Sequence, residues 1–464
     1  NNHKRDDFKP YVMKSADKGK TWSAIANNLP ENGSVWSIEQ DFVNPDLLFV
    51  GTEFGMHFSI DGGKEWVELK SGLPPIAVRD IVFQERENDL VIATFGRGFY
   101  ILDDLTPLRA LKKEMLKQDA VIFPVKDAKM FIKTGGKYGQ GSNFYVSENP
   151  EYGATFTYYI KDVPKTLKEE RQEKEKELFK NKKPIPQPGV EELREENKEI
   201  APYLVFSIRD ASGREIQKLT ANAAKGIKRI TWNLRYPSLR PVSTSTAKFT
   251  PVAKKSSGRR RGMTGMMAMP GNFSVSLSMV TRDGVKKLTE DVPFKAEALN
   301  LATLPAENRV ELVAFQEKVT ELASTMNAAE NFAADLQKKV VLIKQTLHNT
   351  AGTSQNLMNK AFEIEQKLEN IIFIFEGAEA RASSEEIPPS AMPFNRRLMS
   401  IVYASMSTSS GTTQTQLDNY EILKEEFPPV LDDLKSIQQM ITELNDELDA
   451  IGAPWTPGRV PSLQ

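Results

Sequence analysis

Two copies of one short motif lie near the start of this 464-residue chain and constrain its fold more than any other feature. The shared positions are Ser15, Asp17, Gly19 and Trp22 in the first copy and Ser59, Asp61, Gly63 and Trp66 in the second. The aspartate can accept backbone N–H groups, the glycine permits a positive φ, and the tryptophan can bury a large ring. The motif therefore predicts a structural hairpin turn rather than a reactive site.

The spacing of the two copies predicts the architecture around them. The aspartates are 44 residues apart, and short strand-like segments separate them. A period of ~40–50 residues with several strands per unit is typical of a β-propeller blade. The predicted strands are Val35–Glu39, Leu47–Gly51, Met56–Ser59, Trp66–Leu69, Val78–Phe83, Leu90–Thr94 and Gly98–Leu102. The last three form a partial unit that lacks the turn motif.

The motif resembles the Asp-box, or BNR repeat, of sialidases, xyloglucanases and sortilin-type propellers. The segment Ala93–Leu105 resembles the closing strand of large bacterial Asp-box proteins of the sortilin-like or "glycosyl hydrolase BNR repeat" type. In those families the box stabilises blade turns away from the active site, so the resemblance implies a fold and not a reaction. It also implies a β-sandwich and a helical tail after the propeller.

Residues 1–105 cannot form a complete propeller by themselves. They hold about two and a half blades, whereas closure needs ~4–8. We therefore expect these residues to be the last blades of an Asp-box propeller, completed by N-terminal blades of the same chain or of another chain.

One residue of the partial unit is a candidate ligand contact. Arg97 lies between two glycines and could face a central channel, where it would bind a carboxylate. The alternative is an arginine at a blade edge, paired with a neighbouring acid. Asp103 and Asp104 are predicted to cap the segment around Pro107.

A linker at 106–138 and a β-sandwich at 139–299 are predicted next. The predicted sandwich strands are Ala154–Ile160, Tyr203–Arg209, Gly226–Asn233, Asn272–Val280 and Gly284–Phe294. The segments Gly226–Pro237 and Pro270–Leu277 resemble motifs of the fibronectin-like modules in BNR proteins, which implies a fibronectin- or Ig-like sandwich. Trp232 is predicted to be a core ring, with a sugar-stacking platform as the alternative.

Two insertions interrupt the predicted sandwich. The first, 166–199, is rich in Lys and Glu and predicts two charged helices separated by a proline break. The second, 241–269, is a basic, Met-rich loop. Its Arg259, Arg260 and Arg261 could contact lipid headgroups, anionic glycans or a protein surface, while the alternative is a disordered connector.

The last part, 300–464, predicts a helical bundle with long coiled helices. Apolar residues follow one another by three and four positions over five heptads. The seam consists of Leu312, Phe315, Val319, Leu322, Met326, Ala329, Ala333, Leu336, Val340, Ile343 and Leu347. Further helices are predicted over 357–371, 394–406 and 434–451, with Pro428 and Pro429 interrupting the approach to the last one.

Composition excludes several function classes. The 61 basic and 62 acidic side chains leave a net charge of −1, which argues against general nucleic-acid binding. The absence of cysteine excludes thiol nucleophiles and Cys-ligated zinc. The sequence contains no run of ~18 apolar residues, so we predict no transmembrane segment. We predict no metal, no cofactor and no catalytic residue within the chain.

Two functions are compatible with these observations. The first is a non-catalytic interaction or assembly protein, in which the propeller binds a peptide or another envelope protein. The alternative is a sialidase- or xyloglucanase-like glycoside hydrolase whose catalytic residues lie in propeller blades missing from this chain. The resemblance implies an exported bacterial protein that is periplasmic, outer-membrane-associated or extracellular.

Overall fold

The computed structural model describes residues 2–132, 141, 147–239, 241–242, 249–252, 265–301, 305–380 and 382–461. The chain forms a sheet stack (residues 2–105), a middle domain of two sheets (120–298) and a helical region (309–450). The predicted multidomain order, with mainly antiparallel sheets before a helical part, is confirmed. The propeller and fibronectin-like assignments are finer than this and stay predictions.

The sheet stack holds three antiparallel groups of two, four and three strands. Within each group the strand order follows the chain order, so successive strands are joined by hairpins. The strands are β1 (Met13–Lys14), β2 (Ser23–Ala24), β3 (Val35–Gln40), β4 (Leu48–Thr52), β5 (Gly55–Ser59), β6 (Val67–Glu68), β7 (Val78–Gln84), β8 (Asp89–Thr94) and β9 (Phe99–Leu102).

The strand β4 is buried on both of its faces, which explains the continuous apolar run at this point of the sequence. Side chains of a strand alternate between its two faces. Leu47 and Phe49 therefore pack toward the third sheet, while Leu48 and Val50 pack toward the first strand pair and Trp66. The three groups are thus layered, with the four-stranded sheet in the middle.

A buried ion pair fastens the sheets to the first helix, α1 (Thr106–Ala110). The Arg109 guanidinium donates to both oxygens of the fully buried Asp41 carboxylate, from Nε at 2.8 Å and from Nη2 at 2.7 Å. Its Nη1 donates to Asn88 Oδ1 at 2.6 Å. Because Asp41 follows β3 and Asn88 precedes β8, one side chain holds two sheets together. Removing one partner of such a pair leaves a buried charge uncompensated.

The middle domain consists of two sheets that face each other across one apolar core. Its strands are β10 (Ala120–Ile122), β11 (Ala128–Met130), β12 (Ala154–Ile160), β13 (Tyr203–Asp210), β14 (Glu215–Asn222), β15 (Gly226–Trp232), β16 (Gly271–Thr281), β17 (Gly284–Lys287) and β18 (Val292–Ala298). One sheet has the order β10-β12-β15. The other has the order β11-β18-β16-β13-β14, with β17 added beside β16, and only its β11–β18 pair is parallel.

Two strands of this domain lie inside the predicted linker 106–138. β10 pairs with β12, and β11 pairs with β18, so the chain joins the middle domain well before residue 139. The predicted strand Gly284–Phe294 is two strands, β17 and β18, separated by a turn. Trp232 is fully buried, and its Nε1 donates to the carbonyl of Arg235 at 2.9 Å. Its position agrees with the predicted core ring.

The first insertion contains the helices α2 (Leu167–Lys180) and α3 (Val190–Lys198), separated by the proline-rich segment. Arg171 of α2 donates to Glu196 of α3 at 2.5 Å, which fastens the two charged helices to each other. The basic triplet Arg259–Arg261 of the second insertion lies outside the described residues. The end of that insertion is packed: Met266 belongs to the core of the helical region.

The helical region contains α4 (Arg309–Asn349), α5 (Gln355–Glu376), α6 (Phe394–Ser407) and α7 (Gln414–Ala450). All four helices contribute to one apolar core. The heptad positions of α4 from Val319 to Leu347 are buried, except the half-buried Leu322. Phe315, before them, packs half-buried against the same core. The seam is therefore an intramolecular core, as predicted.

The prolines at 428 and 429 do not interrupt the last helix, and this prediction was wrong. The helix α7 runs continuously from Gln414 to Ala450 with both prolines inside it. A proline removes a helical hydrogen bond and normally kinks or breaks a helix. Here the flanking Phe427 and Val430 are buried in the shared core, and tertiary packing offsets the lost backbone bond.

A lysine pair holds the sheet stack to the middle domain. Glu87, in the turn between β7 and β8, accepts from Lys129 Nζ at 2.5 Å and from Lys126 Nζ at 3.3 Å. These lysines, led by the hydrogen bond from Lys129, lower the pKa of Glu87 from 4.5 to about 2. The carboxylate therefore stabilises this junction only while it is ionised.

We expect Glu87→Gln to lower the free energy of unfolding by about 1–2 kcal/mol at pH 7, a figure reduced for the partial exposure of the pair. Glu87 holds its proton less tightly in the folded chain than in the unfolded one. The stabilisation is thus complete above pH 4.5 and is lost as the pH falls from 4.5 toward 2. Urea unfolding across this range should show the two proteins converging. The exposed neighbour Glu85→Gln is the control, and a pH-independent difference would contradict the account.

Candidate interaction surface

The first predicted turn is built as its residue types require. Ser15 Oγ accepts from the amide of Gly19 at 2.7 Å and donates to Asp17 Oδ1 at 2.9 Å. Asp17 accepts from the Thr21 amide at 2.8 Å and from the Thr21 hydroxyl at 2.7 Å. The Thr21 amide is the main cause that lowers the pKa of Asp17. The carboxylate thus closes the turn through its hydrogen bonds.

The second turn repeats this geometry 44 positions later. Ser59 Oγ accepts from the Gly63 amide at 2.9 Å, and Asp61 Oδ1 accepts from the Glu65 amide at 2.9 Å. The glycines at 19 and 63 have φ values of +87° and +89°. Partial burial alone would raise the pKa of Asp61, but the hydrogen bonds outweigh it and the pKa is lowered.

The strands beside the two turns also correspond. In the first unit Met13 pairs with Ala24 and Lys14 with Ser23. In the second unit His57 pairs with Glu68 and Phe58 with Val67, which are the same positions shifted by 44. The ribbon β1–β2 is therefore equivalent to the β5–β6 half of the four-stranded sheet.

The second tryptophan joins its unit to the unit before it. Trp66 is 4% exposed, and its Nε1 donates to the carbonyl of Ile25 at 2.7 Å. Its backbone N–H donates to Asn28 Oδ1 at 2.8 Å, and its carbonyl accepts from Asn28 Nδ2 at 2.9 Å. One Asn side chain thus satisfies both backbone groups of Trp66, as a neighbouring strand would.

The equivalent tryptophan has no such neighbour within the described chain. Trp22 is 60% exposed, and its Nε1 reaches only the carbonyl of Gly19 in its own turn, at 3.1 Å. The difference lies in the surroundings, because in both turns the serine and the aspartate accept the corresponding backbone N–H groups. Among the described residues the docking position is therefore empty at Trp22, whereas the equivalent position at Trp66 is filled by the preceding unit.

The opposite end of the stack is also uncovered. On the outer face of the third sheet Val82 lies beside Val91, and Val91 beside Ile101. Val82 and Ile101 are 54% and 60% exposed, and Phe99 on the same face is 76% exposed. The inner face of the same sheet is buried against the four-stranded sheet. Exposed apolar patches of this kind mark interaction sites. We call this patch, Val82, Val91, Phe99 and Ile101, the outer sheet face.

Residues at the start of β3 and β7 form a third feature, which sequence reasoning missed. Each strand begins with a β-bulge, and the bulged residues are Trp36 and Arg79. The Arg79 guanidinium lies 3.7 Å from the centre of the Trp36 ring and 5.3 Å from that of Phe95. Trp36 Nε1 donates to Glu53 Oε2 at 2.6 Å. We call Trp36, Arg79 and Phe95 the stacked cluster.

Arg97 is exposed in the turn between β8 and β9. In the part of the chain that the structure describes, its side chain forms no ion pair. The alternative of an edge arginine paired with a neighbouring acid is therefore not observed, and a channel-facing role stays a prediction. Asp104 Oδ1 accepts from the Thr106 amide at 3.0 Å in the turn before α1, and the N-cap residue of that helix, Leu105, makes no side-chain capping bond.

Across the described ranges, no group of three or more His, Asp or Glu side chains is placed to hold a metal ion. In the same ranges no helix has both the length and the apolar character that crossing a bilayer requires.

A scan against protein-family models matches no family, and a search of curated proteins returns no match.

A matched pair of tryptophan variants tests the difference between the two units. We expect Trp66→Ala to lower the free energy of unfolding by about 3–5 kcal/mol, because it empties a packed position between two units. Trp22→Ala should cost about 0.5 kcal/mol or less, as for an exposed side chain. Denaturant unfolding of both variants provides the measurement. Equal losses would show that the two rings have the same surroundings in solution.

Proposed function

We propose that the chain is a non-catalytic interaction protein whose sheet stack assembles with further Asp-box β-sheet units into a closed β-propeller. The single observation behind this proposal is the contrast between Trp66, buried on the preceding unit, and Trp22, exposed in an equivalent turn. Units that stack radially need a neighbour on each side, and no described residue of this chain supplies one at either end of the stack.

The partner at the first end has a defined chemistry. To cover Trp22 as Trp66 is covered, it must offer an apolar side chain, a free carbonyl for the indole N–H and an amide side chain for the backbone. The segment Ile25–Asn28 offers all three to Trp66. The partner at this end is therefore another unit with the same sequence pattern, from the same protein or from a second one.

The assembled propeller would present the stacked cluster to a ligand. The Arg79 guanidinium lies over the Trp36 ring, and the N–H edges of a guanidinium match a carboxylate. Among the described residues Arg79 forms no ion pair that would occupy them. We propose that the ligand is a protein or peptide segment bearing a carboxylate, with Arg97 as a second contact from the neighbouring turn.

The resemblance to sortilin-like Asp-box proteins supports a location at the bacterial cell envelope, either periplasmic, outer-membrane-associated or extracellular. It also supports a fibronectin-like identity for the middle domain. In this proposal the middle domain and the helical region brace the propeller. Two contacts join the sheet stack to the middle domain: Glu87 binds Lys126 and Lys129, and Arg229 binds the carbonyl of Asp103. Arg229 Nη2 donates to the carbonyl of Asp103 at 3.0 Å.

Photo-crosslinking in the producing cell tests the assembly. A photoreactive phenylalanine analogue replaces Trp22 in one variant and Phe99 in another, and crosslinked peptides are identified by mass spectrometry. We expect both positions to label segments with the Asp-box pattern, because those segments should cover the two ends of the stack.

The matched control places the analogue at Phe179, which is 76% exposed on the charged helix α2, away from the sheet stack. This position should not label Asp-box segments. The proposal fails if positions 22 and 99 yield no crosslink, or if they label only segments without the Asp-box pattern.

A further inference from the structure

A cavity of about 440 Å³ lies between the middle domain and the helical region. Its walls come from β11 and the chain after it, from the end of β18, from the first turns of α4 and from the loop after α6. This volume is within the range of small-molecule sites, which are mostly apolar with a few placed polar groups. No described residue of the sheet stack lines the cavity, so a ligand there does not require the proposed assembly.

The body of the cavity is apolar and adaptable. Met130, Met267, Phe131 and Leu312 contribute to its lining. Methionine is unbranched and polarisable, so it adjusts to ligands of irregular shape. Met267 belongs to the insertion that the sequence predicted as a Met-rich contact loop. Its backbone is held by a β-bridge to Arg235, which keeps it in place as part of the wall.

The polar groups of the cavity come from the first turns of α4, from Asn300 and from residues 408–410. The side chain of Gln316 is 5% exposed, and its Nε2 donates one hydrogen bond to the carbonyl of Ser405 at 3.2 Å. The hydroxyls of Thr408 and Ser410 hydrogen-bond to each other at 3.0 Å. The guanidinium of Arg309 donates from Nη2 to Asn300 Oδ1. Within the described chain its other N–H groups have no acceptor, and Arg309 is the only cationic side chain among the described lining residues.

The position of Arg309 adds to the positive potential there. It is the first residue of α4, a helix of 41 residues. A helix N-terminus carries partial positive charge, and a cation at this end is unfavourable unless an anion compensates it. No carboxylate lines the cavity or pairs with Arg309 among the described residues. Glu311, in the same first turn of α4, is not among the lining residues, so Arg309 gives the described lining its positive charge.

We propose that this cavity binds a single-chain amphiphile with a carboxylate head, such as a medium-chain fatty acid. The carboxylate pairs with the free N–H edge of Arg309, and the alkyl chain lies among the methionine, phenylalanine and leucine side chains. The planar guanidinium matches a carboxylate in a bidentate geometry, and burial of the alkyl chain supplies the apolar contribution.

Titration calorimetry of the whole chain with sodium decanoate tests the proposal. We expect one saturable site per chain. Arg309→Met should weaken binding about tenfold or more, since it removes a charge-assisted hydrogen bond while keeping the bulk. Arg309→Lys keeps the charge but loses the bidentate geometry, so it should weaken binding less than Arg309→Met does. Decyltrimethylammonium, with the same chain and the opposite charge, should bind at least about tenfold more weakly than decanoate.

Two variants separate the cavity from other sites. Arg194→Met removes an exposed arginine on α3 and should leave decanoate binding unchanged. Val313→Phe places a larger side chain in the cavity wall and should abolish binding. Circular dichroism confirms that each variant is folded. The proposal is overturned if the folded wild-type chain does not bind decanoate. It is also overturned if folded Arg309→Met or Val313→Phe binds as tightly as wild type.

Discussion

The docking of Trp66 on the preceding unit is the interaction on which the rest of the sheet stack depends. Its indole N–H is satisfied by the carbonyl of Ile25, and its backbone by the side chain of Asn28. The turn that positions the ring is closed by Asp61 and Ser59. Local hydrogen bonds thus set the direction of one large side chain, and that side chain joins two units.

The layering of the three sheets depends on this contact of Trp66. With Trp66 covering one face of the four-stranded sheet, β4 is enclosed on both sides, and the third sheet covers the other face. The ion pair of Asp41 with Arg109 then fixes α1, which leads the chain into the middle domain. Each layer needs the next one for burial, so an end without a neighbour exposes apolar surface. Trp22 and the outer sheet face are the two places where this occurs.

Sequence patterns predicted the features that depend on local chemistry. The turn residues Asp17 and Asp61, the run at β4 and the heptad seam of α4 each carry a period or a residue type tied to one geometry. Features that depend on distant partners were not predictable. Asp41 and Arg109 are 68 positions apart and have no local signature. Pro428 and Pro429 lie inside the continuous helix α7 because packing in the shared core outweighs the helix-breaking preference of proline.

The candidate sites also differ in whether a local sequence pattern marks them. Arg97 is a candidate because two glycines flank it in the sequence, whereas Arg79 has no such pattern and becomes a candidate only through its contact with Trp36 across two sheets. The apolar signal of the methionines near residue 267 was visible, but their cavity is formed only when the middle domain and α4 meet. The glycoside hydrolase alternative stays a prediction, because its catalytic residues would lie in blades outside this chain.

Backbone hydrogen exchange tests the central claim, that the sheet stack is completed by further Asp-box units. It should be measured for this chain alone and for the protein assembled in its native surroundings. The account predicts that β4 and β5 are protected in both, whereas β1, β2 and β9 exchange rapidly in the isolated chain and slow by at least about tenfold in the assembly. Unchanged exchange at β1, β2 and β9 would contradict it.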